Sequence, residues 1–574
     1  MRTLGINAAF HDSSAALVID GRVVAAAEEE RFTRIKHGKR PVPFTTWELP
    51  FHAIDYCLAA AGIALADVDH VAYSFDPELL PAARTEAESI ALPLEPSAQA
   101  AAGDASPWEP LFYASVVNAP RQLAGGAPHH LRARLRDDGR ASYRWHFVEH
   151  HTAHAASAFL AAPFRRAAIL TLDGRGEIAT TSYGIGEGAE MDRIGQVNRP
   201  HSLGLLYERV TEYLGFLHSS DEYKVMALAS YGRPAFLRDF RSLVRLGCDG
   251  QYAIGPLCLD ERFGPARRRG EAFEQRHFDI AHSLQVVLEE TVLEIAQWLH
   301  DATGAEDLCM AGGVALNCVM NARVRDDGPY RRVWVQPAAG DAGTALGAAL
   351  YIDARERGRC RGWRMDDAFL GPAYDDAEIE AALRSAKATF TRPPDIARAT
   401  AELLAQEKIV GWYQGRMEFG PRALGARSIL ASPRDARMQD RLNEIKDRED
   451  FRPVAPVVLE EEAGAWFRGA TESPYMLFVY DVRPERAAEI PAVRHVDGTA
   501  RVQTIRRDQH ERYYDVVQAF GRLTGTPVVI NTSFNTRGEP IVCTPQHALA
   551  CYFTTPLDAL ALGPFLLEKP CAAA

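Results

Sequence analysis

The sequence predicts an α/β protein of two domains, of which the first contains a duplicated unit. The duplication is indicated by two stretches, 3–19 and 167–185, in which an apolar strand, a polar loop with a carboxylate and a second strand follow one another. A charged stretch with scattered glycines at 355–375 indicates a domain boundary, and a new α/β pattern follows it. We therefore predict domains at 1–362 and 363–574, with an insertion at 82–140 in the first.

The composition excludes several classes of protein. The chain has 574 residues, of which 47% are hydrophobic and 24% charged, as in globular proteins. Its net charge of −12 argues against broad adhesion to nucleic acid or anionic lipid. No apolar run approaches the ~18 residues that a membrane span needs, and polar residues at 11–14 interrupt any signal-peptide core. The nine scattered cysteines suit a reducing compartment. We therefore predict a cytoplasmic protein that binds neither nucleic acid nor membranes.

The first domain begins with three short strands. They are predicted at 3–7, 14–19 and 23–27, with a turn at Asp20-Gly21 before the third. The loop between the first two strands is polar and lies at a strand end, where α/β proteins commonly bind ligands. The second unit repeats this pattern, with strands at 167–172 and 178–185 around a polar loop. Two such loops suggest a phosphate or metal held between the halves.

Three further stretches complete the predicted elements. A glycine-rich junction at 308–317 runs from strand into helix, and both the glycines and the helix N-terminus favour an anionic or nucleotide group. An amphipathic helix is predicted at 281–299. The second domain is predicted to contain helices at 377–387 and 396–406 and a strand at 409–413, with Asp375 and Asp376 positioned to cap the first helix.

A pair of histidines suggests a metal site. His150 and His154 are four residues apart, so on a helix they share a face and can bind one ion, while His151 points elsewhere, next to the site or at the surface. Asp173 and Asp341 could add oxygen ligands, and two imidazoles with two carboxylates suit a mid-row divalent ion. The alternative is a pair of unrelated histidines. A zincin peptidase is the least favoured hypothesis, because H-E-x-x-H is absent.

A second candidate lies in the first loop. His11 next to Asp12 could take a proton from an incoming hydroxyl. The alternative is a capping aspartate beside a solvent-exposed histidine.

Cations cluster in the second domain. Arg422 and Arg427 lie on a glycine-rich loop, residues 446–452 contribute three more cations, and Arg501 and Arg507 follow. Hydroxyl and amide donors are dense at 530–540. In an acidic protein, such residues are expected where phosphate or carboxylate is bound; solvated surface arginines are the alternative. Aromatic residues are not interleaved with the cations, which disfavours a nucleic-acid channel.

These stretches together resemble the O-carbamoyltransferases of the NodU/CmcH type, which include tobramycin, cephalosporin and nodulation-factor carbamoyltransferases. The resemblance runs in the same order over nearly the whole chain. Its motifs are FHDSSA at 10–15, AEEERFTR at 27–34, KHG at 36–38, the histidines at 150–154, DEYKVM at 221–226, AGGVALN at 311–317, GPRALG at 420–425, KDRE at 446–449, RP at 452–453 and NTSFN at 531–535.

The resemblance implies a fold and a reaction. The N-terminal domain would have a duplicated ASKHA-type fold and the C-terminal domain a YrdC-like α/β fold. Carbamoyl phosphate would be cleaved in the YrdC-like domain, and ATP, with Mg²⁺, would convert the carbamate to carbamoyl-AMP. The N-terminal domain would then transfer the carbamoyl group to a substrate hydroxyl.

The resemblance also implies roles for individual residues. The metal ligands would be His150, His154, Asp173 and Asp341, with iron as the metal. His11, with Asp12, would be the base at the acceptor hydroxyl. The residues for carbamoyl phosphate and the nucleotide phosphates would be Arg422, Lys446, Arg452, Arg501, Asn531 and Ser533, of which Arg422, Lys446 and Arg452 would be catalytic. The adenylate site of the N-terminal domain would use Lys224, Gly312, Gly313 and Asn317.

The partners implied are carbamoyl phosphate, ATP and a small-molecule hydroxyl acceptor, as in antibiotic biosynthesis. The acceptor stays open among aminoglycoside, polyketide macrocycle, cephem and sugar hydroxyls, and a homodimer stays open as well. Two other functions remain as alternatives, a tRNA threonylcarbamoyl-type transferase and a nucleotide-binding regulator without turnover.

Overall fold

The computed structural model describes residues 1–38, 49–79, 109–125 and 142–569. In the first domain the strands are β1 (Arg2–Asn7), β2 (Ser14–Ile19), β3 (Arg22–Glu28), β4 (His70–Tyr73), β5 (Arg144–Phe147), β6 (Arg166–Leu172), β7 (Ala179–Glu187), β8 (Glu190–Asn198), β9 (Val244–Leu246), β10 (Tyr252–Ile254), β11 (Asp307–Ala311) and β12 (Arg332–Val335). Its helices are α1 (Glu30–Thr33), α2 (Phe51–Ala60), α3 (Glu109–Gly125), α4 (His150–Phe159), α5 (Leu203–Tyr213), α6 (Glu222–Ala229), α7 (Leu237–Leu243), α8 (Leu259–Phe263), α9 (Gln275–Thr303), α10 (Cys318–Asp327) and α11 (Ala342–Glu356). Short 3-10 turns lie at Lys36–Gly38, Leu65–Asp67, Pro77–Leu79 and Gly313–Leu316.

Two five-stranded sheets of the first domain have the same topology. Their orders are β3-β2-β1-β4-β5 and β8-β7-β6-β11-β12. In each sheet the first three strands of the unit pair antiparallel, and the last two run parallel to the first strand. This identity of order confirms the predicted duplication, which the repeated pattern of strand, polar loop with a carboxylate and strand had indicated.

The two halves meet through the helices that follow β5 and β12. Helices α4 and α11 pack against each other, and Gly347 lies where any Cβ would overlap the carbonyl oxygen of Ala153. Glycine at this position therefore allows the two backbones to approach closely. The predicted amphipathic helix is confirmed as α9, which buries Leu284, Leu288 and Val292 in the first domain's core.

The C-terminal domain is built on a seven-stranded mixed sheet of order β18-β15-β19-β14-β13-β20-β21. The strands are β13 (Val410–Tyr413), β14 (Arg427–Ala431), β15 (Ala455–Leu459), β16 (Val479–Asp481), β17 (Thr499–Arg501), β18 (Gln503–Ile505), β19 (Val528–Ser533), β20 (Ala559–Leu562) and β21 (Phe565–Glu568), of which β16 and β17 form a separate hairpin. The helices are α12 (Asp376–Ser385), α13 (Ile396–Ala405), α14 (Arg437–Ile445), α15 (Ala463–Trp466), α16 (Glu511–Thr524) and α17 (Pro545–Thr554), with 3-10 turns at Glu460–Glu462 and Pro491–Val493.

Helices cover both faces of this sheet. Neighbouring residues of one strand enter different cores, because side chains alternate along a strand: Val457 packs with α13 and α16, and Val458 packs with α12 and α17. Asp375 caps α12 by accepting a hydrogen bond from the Glu378 backbone N–H at 2.8 Å. The predicted α/β class is confirmed for both domains.

The predicted insertion at 82–140 lies outside the described residues except for α3. That helix packs Phe112 against Phe10 and Phe75, with ring centroids 5.3 and 5.2 Å apart. Among the described residues no helix combines the length and the apolar character that a bilayer crossing requires.

Candidate active site

Four side chains converge where parallel strands of the first domain end. His150 and His154 lie on α4, which begins just after β5; Asp173 directly follows β6; and Asp341 lies between β12 and α11. In α/β folds the carboxyl ends of parallel strands form the ligand-binding edge. The topology therefore collects residues that are up to 191 positions apart in the sequence, 341 − 150.

The distances among these four residues suit one metal ion. His150 Nε2 lies 3.2 Å from His154 Nε2, 3.6 Å from Asp173 Oδ2 and 3.5 Å from Asp341 Oδ1, and His154 Nε2 lies 3.6 Å from Asp341 Oδ1. All four ligand atoms are buried and lie within 4.8 Å of one another. Ligands bound at about 2.1 Å lie about 3.0–3.4 Å apart in octahedral or tetrahedral geometry.

Hydrogen bonds outside the cluster support this arrangement. His150 Nδ1 faces the Ser74 carbonyl oxygen at 3.3 Å, which leaves Nε2 for the cluster. The Gly313 backbone N–H donates to Asp173 Oδ1 at 2.8 Å, so Oδ2 faces inward. Asp341 Oδ1 is buried and has no hydrogen-bond partner among the described residues. A divalent ion would satisfy this oxygen, so the residues fit the group.

The histidines and aspartates of this cluster shift one another's pKa values. Burial opposes a charged imidazole, but Asp341 and Asp173 raise the pKa of His150 well above its usual value. Burial and Asp341 oppose ionisation of Asp173, yet contact with the two histidines lowers its pKa below the usual range. A metal ion and these protons would therefore compete for the same lone pairs.

The predicted base lies beside this cluster. His11 Nδ1 is 2.8 Å from Asp12 Oδ2, and His11 Nε2 is 3.9 Å from Asp341 Oδ2. Burial opposes ionisation of Asp12, but its two histidine neighbours, His11 and His37, lower its pKa well below the usual range. An ionised Asp12 can therefore orient the imidazole and stabilise its protonated form.

One loop, residues 312–318, connects the metal-ligand cluster to the C-terminal domain. At one end the Gly313 N–H contacts Asp173, and at the other the Leu316 carbonyl oxygen accepts a hydrogen bond from Arg422 Nη2 at 2.9 Å. Gly312 has φ +94°, and a Cβ there would overlap the Leu172 carbonyl oxygen. Glycine is thus required for the loop to lie against the end of β6.

Arg422 of the C-terminal domain, one of the predicted phosphate-binding cations, donates to this loop. Arg422 follows Gly420, whose N–H donates to Glu28 Oε1 at 2.9 Å and whose carbonyl accepts from Arg31 Nη2 at 2.8 Å. These bonds hold the glycine-rich loop of the C-terminal domain on the N-terminal domain.

Lys446, at the end of α14, is held by the end of β19. Its Nζ donates to the Ser533 carbonyl and, at 3.1 and 2.7 Å, to Ser533 Oγ and Asn535 Oδ1. The predicted phosphate-binding lysine and serine therefore meet, although they are 87 residues apart.

The cations repel one another. Burial lowers the pKa of Lys446 well below its usual value, and Arg448 and Arg452 lower it further. Burial, together with repulsion by Arg501, lowers the pKa of Arg422 to about 9. Burial, together with repulsion by Arg452 and Arg501, lowers the pKa of Arg448 to about 9. Because like charges gathered away from water are unfavourable, an anion is expected among them.

Hydrogen-bond donors in this group also lack partners. Among the described residues, no hydrogen-bond acceptor is found for Arg422 Nε, Arg448 Nη2 or Arg501 Nε, and all three atoms are buried. Buried donors in folded proteins are nearly always satisfied. Together with the electrostatic repulsion, these donors indicate a site for an oxyanion such as phosphate. We call Arg422, Lys446, Arg448, Arg452 and Arg501 the cation cluster.

Lys224 bridges the two domains. Its Nζ lies 3.0 Å from Glu449 Oε1 and 3.1 Å from Asp221 Oδ2. Arg452 Nη1 lies 3.7 Å from the other oxygen of Glu449. Glu449 therefore links the residue predicted for the adenylate site to the cation cluster.

Several predicted residues are engaged in local structure. Asn317 caps α10 by accepting from the Met320 N–H at 3.0 Å, and its amide donates to Gln285. The Asn531 amide donates to Gln503 Oε1 at 2.7 Å and to the Ala423 carbonyl at 3.1 Å. Their predicted roles toward nucleotide and phosphate stay predictions.

Two other expectations, for Arg427 and Arg507, need correction, and the alternative left open for His151 is resolved. Arg427 is fully buried and donates to the backbone carbonyls of Gln414, Gly415, Ala426 and Pro372, so it organises the loop instead of clamping an oxyanion. Arg507 is exposed and paired with Glu511 and Asp515. His151 is buried, which excludes the surface alternative, and its Nδ1 lies 3.2 Å from Ser182 Oγ.

Sequence reasoning assigned no role to other residues that support the site. Glu177 accepts from the backbone N–H groups of Asp76 and His150 at 2.7 and 3.0 Å and thereby fixes the start of α4. His37 contacts Asp12. Only its position inside the quoted motif at 36–38 could have singled it out.

Comparison with protein families gives two matches. A family model described as carbamoyltransferase N-terminus matches residues 2–91 and 132–350. One described as carbamoyltransferase C-terminus matches residues 401–569.

Similar chains occur in several bacteria. Protein sll1178 of Synechocystis sp., described as uncharacterized, is 41% identical over 99% of this chain and 96% of its own length. Nodulation protein NolNO of Sinorhizobium fredii is 39% identical over 98% of this chain and 80% of its own length. Solved structures match weakly: the alignment with HypF of T. kodakarensis covers 62% of this chain and 48% of HypF, at 13% identity and a TM-score of 0.33, a level that supports no conclusion.

Proposed function

The chain belongs to the carbamoyltransferase family of the NodU/CmcH type and is therefore an enzyme that transfers a carbamoyl group; on that premise we propose that it forms carbamoyl-AMP from carbamoyl phosphate and ATP and then carbamoylates a hydroxyl of a small molecule. The observation that carries the proposal is the loop at 312–318, which contacts Asp173 at one end and Arg422 at the other. A single loop thus separates a site suited to phosphate from a site suited to metal and base.

The first half-reaction belongs to the cation cluster. Water converts carbamoyl phosphate to carbamate and phosphate, and a carbamate oxygen then attacks the α-phosphorus of ATP, with pyrophosphate leaving. Negative charge grows on the phosphate oxygens in both steps. Lys446 and the arginines would stabilise this charge, because preorganised cations act most strongly where water is excluded.

The second half-reaction belongs to the site beside Asp341. The acceptor oxygen bonds to the carbamoyl carbon of carbamoyl-AMP, the bond from that carbon to the phosphate oxygen breaks, and AMP leaves. His11 Nε2 would take the hydroxyl proton, and Asp12 would stabilise the imidazolium that results. The partial exposure of the His11 side chain, 29%, leaves room for an acceptor.

His150, His154, Asp173 and Asp341 would hold a divalent metal, for which we propose iron. Bound there, the metal would supply positive charge for the phosphate oxygens of the adenylate. The residues themselves would fix its position through the Ser74 and Gly313 hydrogen bonds.

The experiment follows the two half-reactions separately. Purified protein with carbamoyl phosphate and ATP should release pyrophosphate and form carbamoyl-AMP, detected by mass spectrometry. An acceptor panel of aminoglycoside, macrolide, cephem and sugar alcohols should then show one product with the mass gain of a carbamoyl group.

Two variants localise the first half-reaction. Lys446→Met should abolish pyrophosphate release, whereas Lys408→Met, which removes a surface lysine paired with Glu568 at 3.1 Å, should not change it. Absence of carbamoyl-AMP with the unmodified protein would contradict the proposal.

A further inference from the structure

We infer that His37, with Ser220 behind it, positions the catalytic base His11 through Asp12. This inference rests on the proposed role of His11 in the transfer step. It concerns two residues that the reaction scheme above does not use, and it stands on a chain of hydrogen bonds that joins three separate segments of the N-terminal domain.

Asp12 lies between two histidines. Its Oδ2 is 2.8 Å from His11 Nδ1, and its Oδ1 is 2.8 Å from His37 Nδ1. A carboxylate can only accept, so both Nδ1 atoms carry hydrogens when the rings are neutral. This tautomer leaves the lone pair of each ring on Nε2, which for His11 is the atom beside Asp341.

His37 is itself fixed from three directions. Its Nε2 lies 2.8 Å from Ser220 Oγ, which can donate to the ring lone pair. Its backbone N–H donates to Glu30 Oε2 at 2.6 Å, and its carbonyl oxygen accepts from the Asp12 N–H at 3.1 Å. His37 has φ +62° and Asp12 φ +52°, so both backbones are in the left-handed region that non-glycine residues seldom adopt.

These contacts give Asp12 one orientation. Without His37, Oδ1 would lose its partner, and the carboxylate could rotate away from His11 or turn toward water. The Nδ1–H tautomer of His11 would then lose its stabilisation, and Nε2 would carry the hydrogen in part of the molecules. Such molecules cannot accept the hydroxyl proton at Nε2, and a base in the wrong tautomer is inactive.

The Ser220 contact extends the chain toward the domain interface. Ser220 is four residues before Lys224, whose ion pair reaches Glu449, and Tyr223 between them lies 4.7 Å from the Arg452 guanidinium carbon. The segment that supports His37 therefore also contacts the cation cluster, which joins the position of the base to the domain that would make the carbamoyl adenylate.

The experiment uses the full-length protein with ¹⁵N-labelled histidine. Ring-nitrogen chemical shifts report the tautomer of His11, assigned by its loss in His11→Asn. We expect the Nδ1–H form in the unmodified protein and a mixture in His37→Ala. His37→Asn should restore the Nδ1–H form, because its amide nitrogen can donate to Asp12 Oδ1. This measurement needs no turnover, so it judges the hydrogen-bond chain even if the proposed reaction fails.

The kinetic arm measures each half-reaction. His37→Ala should lower kcat of carbamoyl transfer by about 10–100-fold, leave the acceptor KM and carbamoyl-AMP formation unchanged, and be rescued by His37→Asn. The matched control is His52→Ala, which breaks a similar contact, 2.5 Å from Nδ1 to Glu29, at similar exposure.

Two results break the proposed link between His37 and His11 and so overturn the inference. One is a His11 tautomer that stays the same in His37→Ala; the other is a changed tautomer with normal transfer. Equal loss of both half-reactions, or loss of metal content and melting temperature in His37→Ala, assigns His37 a purely structural role and also overturns it.

Discussion

Removing one member of the cation cluster should stabilise the free protein while weakening its response to an anion. Arg422→Met keeps most of the apolar length of the side chain and deletes the charge. The pKa of Arg422 is about 9, against about 12.5 for an ordinary arginine, and the difference corresponds to an upper bound of about 5 kcal/mol of unfavourable electrostatic free energy.

Two effects reduce this figure. The side chain is half-buried, so solvent screens part of the repulsion, and the substitution removes the hydrogen bond to the Leu316 carbonyl, worth about 1 kcal/mol. We expect a net gain of about 1–3 kcal/mol in the free energy of unfolding. In a domain of about 200 residues that is a rise of about 3–8 °C in melting temperature.

The response to ligand should have the opposite sign. In the unmodified protein an oxyanion at about 100 times its Kd adds about 2.7 kcal/mol of stability. Arg422→Met should lose most of this gain, because it removes a charge and a donor from the site.

The assay is thermal unfolding in phosphate-free buffer and with carbamoyl phosphate or inorganic phosphate. Arg437→Met is the control, since Arg437 is 84% exposed and paired with Asp435 at 2.7 Å, and it should change neither quantity. The reasoning is refuted if Arg422→Met is less stable than the unmodified protein without anion and keeps the full stabilisation with it.

Three further predictions concern the metal ligands, proton exchange and helix packing. His154→Ala should lose its metal, measured by elemental analysis, because a buried imidazole is deleted from the four-atom cluster; unchanged metal content would disprove the ligand assignment. Burial and the surrounding cations hold the pKa of Lys446 below its usual value in the free protein, and a bound anion raises it; anion binding should therefore take up a proton at pH values between the free and the bound pKa, and should weaken as pH rises through that range. Calorimetry in buffers of different ionisation enthalpy measures the uptake, and buffer-independent heats would contradict the assignment. Gly347→Ala should destabilise the protein by about 1–3 kcal/mol and lower its metal content, because the added Cβ would overlap the Ala153 backbone. The control is Arg355→Ala, at a half-exposed site on the same helix. Equal stability of the two variants would argue against close packing of α4 and α11.

The sequence by itself determined the local features of this protein. Strand alternation, the cap at Asp375, the i, i+4 histidines and the glycine-rich junction follow from short-range sterics and hydrogen bonding, and each can be read within about ten residues. The motifs in their order were sufficient to predict the family.

Tertiary structure decided which of the candidate residues meet. Arg422 and Arg427 lie five positions apart and carry the same side chain, yet Arg422 lies in the cation cluster, whereas Arg427, at the start of β14, is fully buried and donates to four backbone carbonyls. His37 contacts Asp12 across 25 residues, and Lys446 meets Ser533 across 87. Such contacts depend on how the sheets and domains pack, because a side chain's partners are set by backbone direction and burial, which residue spacing does not contain.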